Sequence, residues 1–435
     1  MALKISRILH AGYVFECGDT LIAFDPIFEN PFSRNCHAFP DVRFDHAQIR
    51  NLAFDAVFIS HFHDDHCSLE SLDFLDRRTP IHIYCLFDEL FAMVRELGFL
   101  DVQPLRIDVP VAVGPFEVIP REALDSDVDS MFQIKAAGLN VLNVVDSWMD
   151  PDTLDQLAKD APWDMVLWPF QTMREIDVLS PSRATPAPPQ LPGDWIDQLK
   201  ILNPRYVVPS SCQFLQEAWS WYNRAFFPIT YRQFQHDVEA ALPDTRVVRL
   251  NPSVSVTLDA TSLQASTPLP WVVPVGEQDV DYQYDATLPA PHTADIARRF
   301  PALTAPQADR VLDYEPAAKQ RAPAELNRFT VQNYLLVAHM AALRLLLQRY
   351  AEGMPRAEVE AALDGAFARV RSSLASTPGD TSAETGAPAN TAEQWPGWAP
   401  LQRRLRLLQQ DAAEVSLASR AIGDALDTAG QGRPQ

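Results

Sequence analysis

Three of the chain's ten histidines stand within six residues, in the stretch Ile59-Ser60-His61-Phe62-His63-Asp64-Asp65-His66-Cys67-Ser68. In an extended segment, side chains two apart point the same way, so His61 and His63 present their imidazoles to one point in space. Asp65 continues that parity, while His66 turns away with the first turn of the helix that follows. Neutral imidazole and carboxylate suit zinc, iron or manganese, and such a set leaves room for a bound water. Water on an ion of this kind ionises near neutral pH, which points to hydrolysis.

The flanks say how the group is held. Phe54 to Ile59 reads as a buried strand and Ser68 to Arg77 as a helix with Ser68 at its N-cap. A strand end opening into a helix is a common place for a site in an open α/β sheet. Upstream, Val14-Phe15-Glu16-Cys17 and Leu21-Ile22-Ala23-Phe24 flank a turn at Gly18-Asp19, as a hairpin would. Residues 27–53 have no clear period and read as an irregular insertion bordering the groove, with His37 and His46 as loop residues. Further on, Ile81–Cys85 is strand-like, with His82 in its core or edge. Asp88–Leu97 is helix-like, Phe116–Ile119 is a strand, and Met131–Val145 is a hairpin about Gly138. Met165–Trp168 and Tyr206–Val208 read as short buried strands, and Arg246–Leu258 as a closing hairpin.

The run His61-x-His63-x-Asp65-His66 resembles the signature of the metallo-β-lactamase-fold hydrolases. Leu9-His10-Ala11-Gly12 and Phe24-Asp25-Pro26 are similar to the opening of the same superfamily, especially its UlaG-like and N-acyl-phosphatidylethanolamine phospholipase D-like branches. The resemblance implies an α/β fold, the αββα four-layer metallo-β-lactamase sandwich, over residues 1–262. It gives His10 and Asp25 supporting roles rather than ligation: Asp25 would tie the metal loop by hydrogen bonds. Asp146, after the apolar run Val141–Val145, holds the place of the aspartate that bridges two metals in the family. Its other reading is a cap on the helix that begins near Asp150.

From Tyr84 to Gln235 the chain has no histidine, whereas the family supplies two more ligands of that type there. At the place of the first stand only carboxylates: Glu122, Asp125, Asp127 and Asp129. At the place of the second stands Ser211, with Cys212 beside it as a thiolate substitute. Three readings stay open. A carboxylate replaces the middle histidine, favouring a harder ion such as iron or manganese. One ion sits at His61, His63 and a carboxylate, with Asp65 and His66 orienting water. Or catalysis is lost and a metal- or ligand-binding scaffold remains, docking a partner through a helical tail. The hydrolase is carried forward over the scaffold, with metal ligands His61, His63, Asp65, His66, Asp146 and Asp127, and with Asp65 and His66, on a second ion or the water, also catalytic. Zn2+ leads, Fe or Mn is the alternative, and one or two ions bind. The hydrolysed bond is an ester, amide, lactone or phosphodiester in a small-molecule substrate.

Composition narrows the partners. A formal charge of −21 argues against coating nucleic acid or anionic membranes. Five scattered cysteines, with no CxxC pair, favour thiols in a reducing compartment. The N-terminus lacks the apolar core of a signal peptide, and Tyr334–Leu347 is too short and too charged to span a bilayer, so the expected location is cytoplasmic. The Trp219, Trp221, Tyr222, Phe226 and Phe227 cluster reads as core. Residues 263–300 read as a Pro-rich connector and 301–435 as a C-terminal helical extension. That extension holds amphipathic helices over 324–350, 356–374 and 401–426, and a disordered segment near 377–396. Those helices are the expected surface for a protein partner or self-association.

Overall fold

Gly18, at φ +62°, closes the first hairpin between β2 (Tyr13–Cys17) and β3 (Thr20–Phe24). That hairpin lies in an eight-stranded sheet whose other members are β1 (Leu3–Arg7), β6 (Ala56–Ile59), β7 (Ile81–Ile83), β8 (Val102–Pro104), β17 (Ser255–Leu258) and β18 (Leu263–Ser266). The spatial order is β18-β17-β1-β2-β3-β6-β7-β8. From β3 to β8 the neighbours run parallel, so the carboxyl ends of these strands share one rim. The computed structural model describes residues 2–33, 36–126, 128–170, 189–216, 222–225 and 227–285, with Pro355 alone beyond them. The chain divides into two compact units, 1–375 and 376–435. The helices expected at 324–350, 356–374 and 401–426 and the segment near 377–396 lie outside the described residues, as do Trp219, Trp221 and Phe226.

A second sheet of seven strands has the order β16-β14-β13-β12-β11-β10-β9. It consists of β9 (Val111–Val113), β10 (Phe116–Glu122), β11 (Ser130–Ala136), β12 (Leu139–Asn143), β13 (Met165–Pro169), β14 (Tyr206–Ser210) and β16 (Arg246–Val247). Alternation along each strand sorts the side chains into two cores. Phe15, Ile22, Phe24 and Phe58 of the first sheet meet Phe132, Ile134, Val141 and Leu167 of the second in a core between the sheets. Residues of opposite parity pack outward. Val57, Ile59 and Ile81 share a core with Leu69 and Leu72 of α2 (Leu69–Leu72) and with Leu90 and Val94 of α3 (Asp88–Glu96). On the second sheet Leu142, Val166 and Val207 take Leu157 of α4 (Pro151–Lys159), Trp195 of α5 (Gly193–Leu202) and Val238 of α7 (Tyr231–Ala241). The short α1 (His46–Ile49) and α6 (Tyr222–Ala225) lie in the connections. Helix, sheet, sheet and helix make the αββα sandwich that the motif implied.

Two expectations need correction. Arg246–Leu258 is not a hairpin, because β16 joins the second sheet beside β14 and β17 joins the first beside β1. The chain crosses at Asn251–Ser253, where Ser253 has φ +78° and its N–H donates to the Arg7 carbonyl at 2.9 Å. The stretch after 262 is also not yet a connector. β18 lengthens the first sheet, β19 (Val272–Pro274) pairs with β5 (Val42–Phe44), and Tyr282 is buried among Phe39, Phe170 and Phe227. The insertion at 27–53 is likewise tied down: β4 (His37–Ala38) pairs with β15 (Phe214–Leu215). No helix among the described residues is long and apolar enough to cross a membrane.

Candidate metal centre

Asp25 leaves the end of β3 with φ +41° and no exposed surface, aiming its carboxylate at the end of β6. Its Oδ1 accepts from the Ser60 N–H at 2.7 Å, and its Oδ2 accepts from Ser60 Oγ at 2.7 Å and His66 Nδ1 at 3.0 Å. Hydrogen-bond polarity then propagates. Ser60 Oγ spends its hydrogen on Asp25, so it accepts from His61 Nδ1 at 2.9 Å. Both His61 and His66 therefore carry a proton on Nδ1 and turn Nε2 inward, the orientation of metal-binding histidines. Asp25 ties the loop, as the resemblance implied.

His66 differs from expectation in direction. Its N–H and that of Cys67 bond the His63 carbonyl at 3.0 and 2.7 Å, which folds the chain back. Its ring centroid then lies 4.0 Å from that of His61. The helix after it is a single turn, capped as expected by Ser68 through the Ser71 N–H. His63 Nδ1 stands 3.0 Å from His61 Nε2.

The second sheet brings the carboxylates. Asp146 follows β12 just after Val145, which holds φ +64°. Its Oδ2 is 3.0 Å from His66 Nε2 and its Oδ1 3.9 Å from His61 Nε2, so one carboxylate reaches both sides of the cluster. The capping role falls to Asp150, whose side chain accepts from the N–H groups of Asp152 and Thr153. Asp129 precedes β11, and Ser130 Oγ donates to the Ser60 carbonyl at 2.8 Å across the two sheets. That stitch sets Asp129 Oδ1 3.8 Å from His61 Nε2. Glu122 and Asp125 are exposed, and Asp127 lies outside the described residues. Cys212 belongs to no donor group among the described residues; burial and the Asp146 carboxylate push its thiol up, away from the thiolate. His37 pairs in β4, His46 stacks on Phe74 and His82 on Phe58, all away from the cluster.

Two groups of donor atoms result, each within 4.8 Å: His61, His63 and Asp129; and His10, Asp65, His66 and Asp146. His10 and Asp129 are the members that sequence reasoning did not name as ligands. Asp129 stood in the stretch considered, but only the register of β11 against β12 tells it from its neighbours. His10 Nε2 lies 3.2 Å from Asp65 Oδ2 and 3.2 Å from His66 Nε2.

Burial, with the charges of His66 and His63, holds His61 neutral, well below the usual histidine value. Burial takes His63 down to about 4. Burial also opposes charge on His66, but Asp146 and Asp65 outweigh it and raise that imidazole well above its ordinary value. For Asp65 and Asp146 burial is outweighed chiefly by His66, and both stay below the carboxylate range. Burial and the nearby Asp146 drive Asp129 up to about 8. These are the marks of a site short of positive charge. Asp129 Oδ1 and Asp146 Oδ1 are buried with no hydrogen-bond partner among the described residues. A cation between them satisfies both, so the donor set fits metal.

Several solved structures are similar to this chain. Igni18, a metallo hydrolase from Ignicoccus hospitalis KIN4/I, is 20% identical over 60% of this chain and 99% of its own, with a TM-score of 0.42. CmlA, a diiron beta-hydroxylase from Streptomyces venezuelae, is 16% identical over 59% of this chain and 53% of its own, with a TM-score of 0.41. The metallo-beta-lactamase fold protein YhfI from Bacillus subtilis is 13% identical over 58% of this chain and 98% of its own, with a TM-score of 0.40. No family model and no curated protein matches the chain.

Proposed function

We propose that the chain is a metal-dependent hydrolase with a two-ion centre. One observation carries this: two compact groups of imidazole and carboxylate donors lie side by side, and the Asp146 carboxylate is 3.0 Å from one and 3.9 Å from the other. His61, His63 and Asp129 hold the first ion, Asp65 and His66 the second, and Asp146 lies between. Asp129 takes the place expected for Asp127. With a carboxylate where a third imidazole was expected, the donor set suits iron or manganese as well as zinc.

Ions bound by these residues would lower the pKa of bound water to about 7 and would polarise a carbonyl or phosphoryl oxygen. The chain's own part is positioning. Asp25 and Ser60 hold a proton on Nδ1 of His61 and His66 and so aim both Nε2 atoms inward, where an ion would take the lone pair of His61 and displace the second proton of His66. Asp65 and His66, with Oδ2 and Nε2 3.8 Å apart, would hold or orient water on the side of the second group. Phe62 and Cys67, which flank the motif residues in the chain, are both buried. The substrate is a small molecule with an ester, amide, lactone or phosphodiester bond.

Elemental analysis of protein purified without chelator tests the reading, with two equivalents of zinc, iron or manganese expected. Asp129→Ala should lose one equivalent, while Glu122→Ala, whose side chain is exposed, keeps both. Protein with no stoichiometric ion would refute the hydrolase.

A further inference from the structure

His10 sits among the donors of the second group with the wrong hydrogen-bond polarity for a ligand. A histidine that binds an ion through one ring nitrogen gives its lone pair there and carries its proton on the other, which donates to an acceptor. His61 and His66 follow that pattern. His10 reverses it. Its Nδ1 stands 3.0 Å from the backbone nitrogen of Cys212, a group that can only donate. The Nδ1 lone pair is thus committed, and the neutral ring carries its proton on Nε2, the atom facing the cluster. The acceptor there is Asp65 Oδ2 at 3.2 Å, with His66 Nε2 beside it at 3.2 Å.

The surroundings keep the ring in this orientation. His10 has φ +52°, a left-handed backbone uncommon outside glycine, and its ring is buried against Phe32 with centroids 5.4 Å apart. Buried Arg7 donates both to the His10 carbonyl and to the Pro209 carbonyl, tying the loop of His10 to the strand end that leads to Cys212. Turning the imidazole over would set a ring carbon against the Cys212 N–H and leave that buried donor unmet.

We infer that His10 is a positioning residue and not a ligand: its Nε2–H holds the Asp65 carboxylate once an ion takes the His66 lone pair. The segment after β14, which carries Ser211 and Cys212 in place of a histidine, contributes instead the N–H that fixes the His10 tautomer. The second ion then has three protein donors, Asp65, His66 and Asp146, and a position open to water or substrate. This rests on the two-ion reading above.

Nitrogen-detected NMR of histidine-labelled protein tests it, on the full chain, metal-free and loaded with zinc. The His10 ring should carry its proton on Nε2 in both; a zinc-bound Nε2 in the loaded protein, or a proton on Nδ1 in the metal-free protein, overturns the inference. Zinc titration gives a second readout. His10→Gln keeps an N–H near the Nε2 position and should bind two ions within ~3-fold of the parent, whereas His10→Ala should bind two ions with one held ~10–100-fold more weakly. A single ion in either variant at excess zinc would make His10 a ligand. If the parent itself binds no zinc, the hydrolase reading falls, while the metal-free spectrum still decides the tautomer.

Discussion

Stripped of its ions, the protein should be most stable near pH 6.5, because the cluster titrates in opposite senses on either side. His61 and His63 have folded values below their unfolded value of about 6.5, His63 at about 4. Between those values the unfolded chain binds the extra protons, so these two make stability rise with pH. Asp129 acts the other way throughout, since its folded value of about 8 lies above the unfolded value of about 3.9. Below pH ~6.5, two cluster groups against one leave a net rise of up to about 1.4 kcal/mol per pH unit, and His82, lowered by burial outside the cluster, adds in the same sense. Above it, His61 and His63 are neutral in both states and drop out. His66, raised in the folded state, then joins Asp129: its contribution is full below the unfolded value and is lost as pH climbs through the folded one. Two extra protons on the folded side make stability fall by up to about 2.7 kcal/mol per pH unit until Asp129 titrates. Asp65 and Asp146, held low, contribute fully across this window and lose their share only in stronger acid. Urea unfolding of chelator-treated protein at pH 5, 6.5 and 8 measures the curve. Restored ions should remove the alkaline fall, because they replace both protons. Metal-free stability that keeps rising from pH 6.5 to 8 would refute the charge assignment.

Two substitutions probe the frame around the cluster. Asp25→Asn puts an amide N–H where the Ser60 hydroxyl and His66 Nδ1–H both donate. It should flip the His66 tautomer and weaken ion binding ~10–100-fold by chelator competition; unchanged affinity would show that Asp25 does not set that tautomer. Gly12→Ala would bring a Cβ within 2.8 Å of the Asp25 carbonyl and 2.9 Å of the Leu9 carbonyl. Backbone must move, so a loss of about 1–3 kcal/mol in unfolding free energy is expected, with weakened ion binding beside it.

The half of the centre that is contiguous in sequence was legible. Strand parity and motif gave His61 and His63, and the apolar runs gave β3, β6 and β12, because each signal is local. Ser68 was legible for the same reason, standing before a helix, whereas the role of Asp25 came from the resemblance. What failed was long-range. Four carboxylates between Glu122 and Asp129 look alike on paper, and Asp129 differs only through the register of β10, β11 and β12 and the Ser130 bond to Ser60. The return of His66 toward His61 depends on a turn closed by the His63 carbonyl, which the helical pattern after it masked. Arg246–Leu258 alternates as a hairpin would, yet its halves serve different sheets, and periodicity carries no information about which.

The division of donors between sheets has a physical consequence. His61, His63, Asp65 and His66 come from the rim of the first sheet, Asp129 and Asp146 from that of the second. Neither sheet alone offers a neutralised set: the first presents mostly imidazole lone pairs, and the second presents carboxylates that burial disfavours when ionised. Facing them across the sandwich leaves orphaned oxygens at Asp129 and Asp146 beside the imidazoles. On the two-ion reading, ion binding would couple to the packing of the two sheets, so that its free energy would add to folding free energy. The Ser130 bond to the Ser60 carbonyl is the point where that coupling is mechanical, since both residues are fully buried and each adjoins a donor, Asp129 on one side and His61 on the other.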